Sequence, residues 1–386
     1  MPSLIQEDLA QPGTHAFIIG VSEYLHLEGG HDPTQKGSQY DMGQLTAAAR
    51  SASEFAAWLL NVYANDQAPL KSLRVLLSPS PNELIHPDIA TLLVGDYAAT
   101  RDNVEQELGD FKIASDTHID NVVIVYVAGH GVQLTQTGAI VLLHDFAADR
   151  YLRELDGAID MAGVHAGMNH PGTARTQFWF VDACRQKPAI VRKFENLTGA
   201  AISLDAPNLV TETSPIFYAA TTGSDAYART GGVTLFCEAL QWVLAGNGAT
   251  GPEPNNGIAY WHISVTDLIK KLPDRVRALA AEADVDQSVY PTGNVQEAVF
   301  HKFRVTPSVN LKIELVPEDA RTISRGTLKQ NATIPVVENF DQWPIQKQVD
   351  AGLYLLNIEA NAPFVNYTDI LQLKPPTESR EISVNP

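Results

Sequence analysis

Short, unbroken apolar runs recur through most of the chain. They are Ala16 to Val21 (AFIIGV), Leu73 to Leu77 (LRVLL), Asn121 to Ala128 (NVVIVYVA), Gln177 to Val181 (QFWFV) and Pro215 to Ala220 (PIFYAA), with a shorter one at Ile140 to Leu143. Apolarity without alternation predicts strands covered on both faces. Between them lie segments with apolar residues at helical spacing: Gln44 to Leu60, Asp102 to Phe111, Leu235 to Leu244 and Val265 to Ala283. Alternating strands and helices predict an α/β domain built on a mostly parallel sheet flanked by helices. The pattern changes near residue 304. Asn310 to Leu315, Thr333 to Val337, Gly352 to Ala360 and Asp369 to Leu373 read as strands separated by turn residues, with no convincing helix among them. The expected division is therefore 1–303 for the α/β domain and 304–386 for a small C-terminal all-β sandwich. Gly248 to Gly257 is dense in breakers and reads as a loop.

Length and composition agree with two globular domains: 386 residues, 45% hydrophobic and 19% charged. Charge excludes more than it selects. Lys and Arg number 27 against 45 Asp and Glu, a net −18. Phosphate binding needs a basic footprint, so nucleic acid is not an expected partner, and neither is an anionic membrane surface. No apolar stretch is long enough to span a bilayer, and residues 1–13 lack the basic start of a signal peptide. Cys184 and Cys237 are the only cysteines, too few for a disulfide framework. A soluble protein of a reducing compartment, the cytoplasm, is the expectation.

Two strand ends carry chemistry. VVIVYVAGHG places His130 just past an apolar strand, between Gly129 and Gly131. QFWFVDACRQ closes another strand with Asp182 and Cys184, 54 residues after His130. Open parallel sheets present functional groups at the carboxyl ends of their strands. A thiol is a weak nucleophile until a neighbouring imidazole takes its proton, and the imidazole can then protonate a leaving amine. The N–H groups of Gly131 and Cys184 are candidates for an oxyanion hole. Strand alternation puts Asp182 on the same face as Cys184, where a carboxylate could pair bidentately with a guanidinium.

These residues resemble the caspase-like cysteine peptidases, the clan of caspases, metacaspases and their bacterial relatives. The caspase signature is Q-A-C-[RQG]-G with a His about 50 residues upstream; here D-A-C-R-Q stands at 182–186, with Asp182 in place of the caspase Gln and Gln186 in place of the Gly. Gly20 to Tyr24 (GVSEY), the helix LTAAARSASEFAAWL, Tyr218 to Tyr227 (YAATTGSDAY) and the helix GVTLFCEALQWVL also resemble the clan, in the right order over residues 14–303. The resemblance implies a caspase-like endopeptidase acting on proteins or peptides, with Cys184 as nucleophile and His130 as base and then acid. Metacaspases carry Asp at the position of Asp182, which implies a pocket for Arg or Lys before the scissile bond. Asp225 is a candidate second acid, and Ser51 stands where the other metacaspase pocket acid falls. The caspase arginine that reads aspartate has no clear counterpart; Gln44, Leu45 and nearby Arg50 occupy that neighbourhood, leaving an acidic preference as the alternative.

The turn-rich stretch Arg185 to Ser214 lies where caspases carry an intersubunit linker. Arg192 and Lys193 are candidate self-cleavage sites for a basic preference, and Asp205 for an acidic one. By family analogy the enzyme is a regulated or zymogenic protease of bacterial defence or cell death, and the sandwich binds a regulatory protein partner or holds the protease domain in place. No cofactor or metal is expected; metacaspases suggest calcium, but no acidic cluster for it is evident. His165 and His170 read as surface-loop residues, Cys237 as a small buried hydrophobe, and His144 as the next candidate base. Competing functions are a non-catalytic scaffold for protein interaction and an acyl-transfer enzyme acting on small molecules.

Overall fold

In this computed structural model the described residues are all but 1–2, 6–9, 134–137, 171, 186–200, 205–212, 222, 254–256, 331–333 and 386. The buried apolar runs form the centre of a seven-stranded sheet. Its strands are β1 (Ser3–Ile5), β2 (Thr14–Val21), β3 (Leu70–Ser78), β4 (Val122–Gly129), β8 (Thr176–Ala183), β9 (Ser214–Tyr218) and the edge strand Tyr290–Asn294, in the order β1-β3-β2-β4-β8-β9 and then the edge strand. The pairs β2–β3, β2–β4, β4–β8 and β8–β9 are parallel. Only β1 and the edge strand run antiparallel to their neighbours. The sheet is therefore mostly parallel, as the unbroken apolarity predicts. All eight residues of β2 and of β4 are buried. A small second sheet pairs β5 (Gly131–Val132), β6 (Ile140–Leu142) and β7 (Ala158–Asp160).

The helix Ala48–Asn61 lies on β2 at very short range. A Cβ at Gly20 would stand 2.6 Å from the Ala52 Cβ and 2.7 Å from the Ala49 Cα. The alanines on one side and the glycine on the other are what permit this approach. The helix Arg101–Ser115 starts at Thr100, whose hydroxyl accepts the Asn103 N–H. Leu235–Trp242 and Val265–Glu282 are the remaining long helices expected from the sequence.

Two compact units emerge: residues 1–241 with 269–300, and 242–268 with 301–386. The second unit thus takes in Trp242–Leu268 as well as the strands expected after 304. One reason is Trp261, which packs against the core of those strands, while its carbonyl accepts the Phe303 N–H. One sheet of this unit orders Ile345–Asp350, Ser308–Val316 and Thr377–Ser383; the other orders Ile334–Phe340, Ser324–Gln330, Gly352–Ala360 and Tyr367–Leu373. Alternate residues of both, including Leu311, Ile313, Leu328, Leu356 and Leu373, share one core. That is the sandwich arrangement of a half-buried, alternating strand set. Among the described residues no helix is long and apolar enough to cross a membrane.

Candidate active site

Parallel pairing of β4 with β8 sets Ala128 beside Asp182 and Gly129 beside Ala183. The residues that follow, His130 and Cys184, are thereby delivered to the same end of the sheet. Both line a cavity of about 200 Å³, together with Asp182, Gln44, Thr234 and Ala226. Gly131 has to be glycine here, because a Cβ would stand 2.2 Å from the Cys184 carbonyl oxygen.

His130 is held from three sides. Its Nε2 lies 2.8 Å from the Gly43 carbonyl oxygen. A carbonyl only accepts, so this contact places the proton on Nε2 and leaves Nδ1 as the basic nitrogen. The His130 N–H donates to the Tyr24 hydroxyl at 2.6 Å, and the Tyr24 ring packs against the imidazole at 4.9 Å. Burial lowers the imidazole's proton affinity, with the Gly43 contact opposing it. The resting imidazole is neutral at pH 7, the form a general base requires.

Cys184 receives the Ala226 N–H on its sulfur at 3.2 Å. Burial pushes the thiol up to about 11; the Ala226 N–H opposes that, while the Asp225 and Asp182 carboxylates add to it. The resting pair is therefore thiol and imidazole rather than thiolate and imidazolium. Alkylation of Cys184 by iodoacetamide should accordingly accelerate about tenfold per pH unit from about pH 7 to about pH 10, because only the thiolate reacts. A rate already level below pH 8, followed by intact mass, would contradict this neutral resting pair.

The Gly131 N–H is turned away from β6. Leu142 donates to the His130 carbonyl, so Gly131 and Val141 form the non-hydrogen-bonded pair of that ladder. It takes no part in the hydrogen bonding of that ladder.

Asp182 is 3% exposed. Its Oδ2 accepts the Tyr126 hydroxyl at 2.6 Å and also the Thr234 hydroxyl. Its Oδ1 is buried and has no hydrogen-bond partner among the described residues. Burial raises the carboxyl to about 6 despite the Thr234 and Tyr126 donors. Leaving an acceptor orphaned in this way costs about 1–3 kcal/mol. With Oδ2 already taken, the bidentate guanidinium pairing expected from the sequence is not open to this carboxylate.

The other sequence candidates fall elsewhere. Asp225 is half-buried beside the sulfur and acts on the thiol electrostatically, and it is not part of the cavity lining. Ser51 is fully buried: it donates to the Ala47 carbonyl at 2.7 Å and accepts the Thr234 N–H at 2.9 Å. It supports Thr234 and does not itself line the pocket. Arg50 donates to the Gly231 carbonyl at 2.5 Å. His144 is bonded to the Glu23 carbonyl at 2.7 Å. His165 is not on a loop but in the helix Met161–Gly167, edge-on to Trp179. Cys237 is buried, as its helix position suggested. Arg192, Lys193 and Asp205 lie outside the described residues.

Tyr24, Gly43, Tyr126, Thr234 and Ala226 carry no local signal in the sequence that marks them for the site. The helical pattern covers Gln44, but the helix begins only at Ala48. The Gln44 side chain instead accepts the Tyr24 N–H at 2.7 Å and donates to the Tyr24 and Glu28 carbonyls at 3.0 and 2.9 Å. Among the described residues no group of three or more His, Cys, Asp or Glu side chains could hold a metal ion.

The caspase domain model matches residues 14–294. The chain is similar to the uncharacterized protein y4kE of Sinorhizobium fredii (strain NBRC 101917 / NGR234), at 25% identity over 317 residues, spanning 78% of this chain and 85% of that protein. Caspase-1 from Spodoptera frugiperda, known from a crystal structure, aligns with a TM-score of 0.41 and 11% identity over 76% of this chain and 94% of its own.

Proposed function

The chain belongs to the caspase-domain family of cysteine peptidases, hydrolases that act on proteins or peptides, and from that premise we propose that it is an endopeptidase cleaving after Arg or Lys with Cys184 and His130 as its dyad. The observation that carries the reading is the convergence of both side chains on one cavity with a buried carboxylate whose Oδ1 is unpartnered.

The chemistry follows from the atoms. As Cys184 Sγ bonds to the scissile carbonyl carbon, its proton passes to His130 Nδ1, and Gly43 steadies the imidazolium through Nε2. The carbonyl oxygen, now an anion, takes up the N–H groups of Gly131 and Cys184. Collapse breaks the C–N bond, and the imidazolium delivers its proton to the departing amine. His130 then takes a proton from water as the water attacks the thioester. Collapse of the second intermediate releases the acid and returns the thiol.

Asp182 favours a basic residue before the scissile bond. An acidic residue there would bring two carboxylates together in a buried cavity. The regulated role in defence or cell death, self-processing at Arg192 or Lys193, and partner binding through the sandwich come from the resemblance alone and stand as proposals. The test is a panel of fluorogenic peptides carrying Arg, Lys, Asp or Leu before the reporter, with and without calcium. Turnover confined to Arg and Lys is the expected result. Turnover after Asp would keep the peptidase and discard the pocket, and a thiol that labels while every peptide stays intact would favour acyl transfer on another substrate.

A further inference from the structure

We infer that Tyr126 and Thr234 set the specificity of the cavity by leaving Asp182 a single oxygen for substrate, so that it recognises positive charge without the fork geometry that favours Arg over Lys. The inference rests on the basic-residue reading above and deepens it.

The direction of the two bonds is fixed by their surroundings. The Thr234 oxygen already accepts the Cys237 N–H at 3.1 Å, in the capping geometry of the helix Leu235–Trp242. Its own proton is then committed to Asp182 Oδ2. The Tyr126 hydroxyl reaches the same oxygen at 2.6 Å from β4, a strand buried on both faces. Ser51 holds Thr234 in place through the Thr234 N–H. Two donors on Oδ2 and none on Oδ1 make the carboxylate asymmetric. A guanidinium gains its advantage over an ammonium by bridging both oxygens of a carboxylate. An oxygen that already accepts two hydroxyls is a poor second partner, so Arg and Lys meet the same single acceptor here.

Peptidyl acyloxymethyl ketones ending in Arg, Lys or neutral citrulline test this on the full chain, because they label Cys184 without requiring turnover. The quantity read is the ratio of second-order labelling rates, Arg over Lys, followed by intact mass. Tyr126→Phe frees one lone pair of Oδ2 and leaves the helix cap untouched. Thr234→Val frees the other, and the double substitution frees both. The Arg-to-Lys ratio should rise about tenfold in the double variant and less in each single one, the size of one charge-assisted hydrogen bond. Thr234→Ser keeps the hydroxyl and should leave the ratio unchanged, separating loss of the donor from general damage. A ratio that stays within about twofold in Tyr126→Phe and the double variant, both folded by circular dichroism, would overturn the inference while leaving the basic preference intact. Citrulline labelling as fast as arginine would instead remove the basic preference itself, and this inference with it.

Discussion

Cys184→Ala is expected to reduce peptide cleavage to the uncatalysed background, and His130→Ala to lower kcat/KM by about 10²–10⁴. The two losses differ because the groups do different work. Without Cys184 no thioester forms. Without His130 the thiol must ionise unaided, and its proton affinity, pushed up to about 11, makes the thiolate scarce at pH 7. Part of the loss in His130→Ala should therefore return as the pH is raised, a recovery that Cys184→Ala cannot show. The double variant should be no worse than Cys184→Ala, since residues acting as one unit do not lose activity additively. Both variants should fold: the contact anchoring residue 130 to the Tyr24 hydroxyl uses its main-chain N–H, and Cys184 is only partly buried. Steady-state kinetics on an Arg or Lys peptide checks the values. Residual turnover in Cys184→Ala within tenfold of the parent would move the nucleophile elsewhere.

What the sequence revealed of this site depended on whether a signal was local. His130 and Cys184 were legible because each ends an unbroken apolar run, and such runs announce central parallel strands whose carboxyl ends gather functional groups. That β4 and β8 are neighbours was not local information, yet it is what brings the pair to one cavity. Gln44 was hidden by periodicity: QLTAAARSA continues the helical pattern, but Gln44 is committed to the main chain of Tyr24 and Glu28, so the helix begins four residues later. Thr234 carries no local signal, and only the tertiary fold turns its hydroxyl to Asp182. Ser51 and Asp225 show the limit of transferring positions from a related pattern: one supports Thr234, and the other acts on the sulfur beside the cavity. In the sandwich, Ser324–Gln330, Ile345–Asp350 and Thr377–Ser383 carry no strand pattern legible in the sequence. Their sequences SRGTLKQ, IQKQVD and TESREIS are mostly polar, because a sandwich strand buries only alternate residues.

Asp182→Asn should separate recognition from folding by moving the two in opposite directions. Cleavage after Arg or Lys is expected to fall by about 10²–10³, the loss of a buried charge-assisted contact with substrate, while labelling of Cys184 by a small uncharged electrophile persists. Stability should rise. Asp182 is raised to about 6 from 3.8, so the folded protein binds that proton more tightly than the unfolded chain does. A raised carboxyl favours folding fully below its unfolded value, and the benefit is lost as pH climbs through 6; at pH 7 the fold carries an ionised group it would rather keep neutral. Each tenfold in proton affinity is worth about 1.4 kcal/mol, so this penalty is on the order of 2–3 kcal/mol. Asparagine matches the neutral acid in shape and can still accept the Tyr126 and Thr234 hydroxyls on its oxygen. Its amide takes the place of Oδ1 without a partner, which offsets part of the gain and leaves about 1–2 kcal/mol. Denaturant unfolding at pH 7.5 and at pH 4.5 reads the difference: the variant should exceed the parent at the higher pH and lose that advantage at the lower. A variant less stable than the parent at both values would mean that the ionised carboxylate supports the fold and was not retained at a cost for binding substrate.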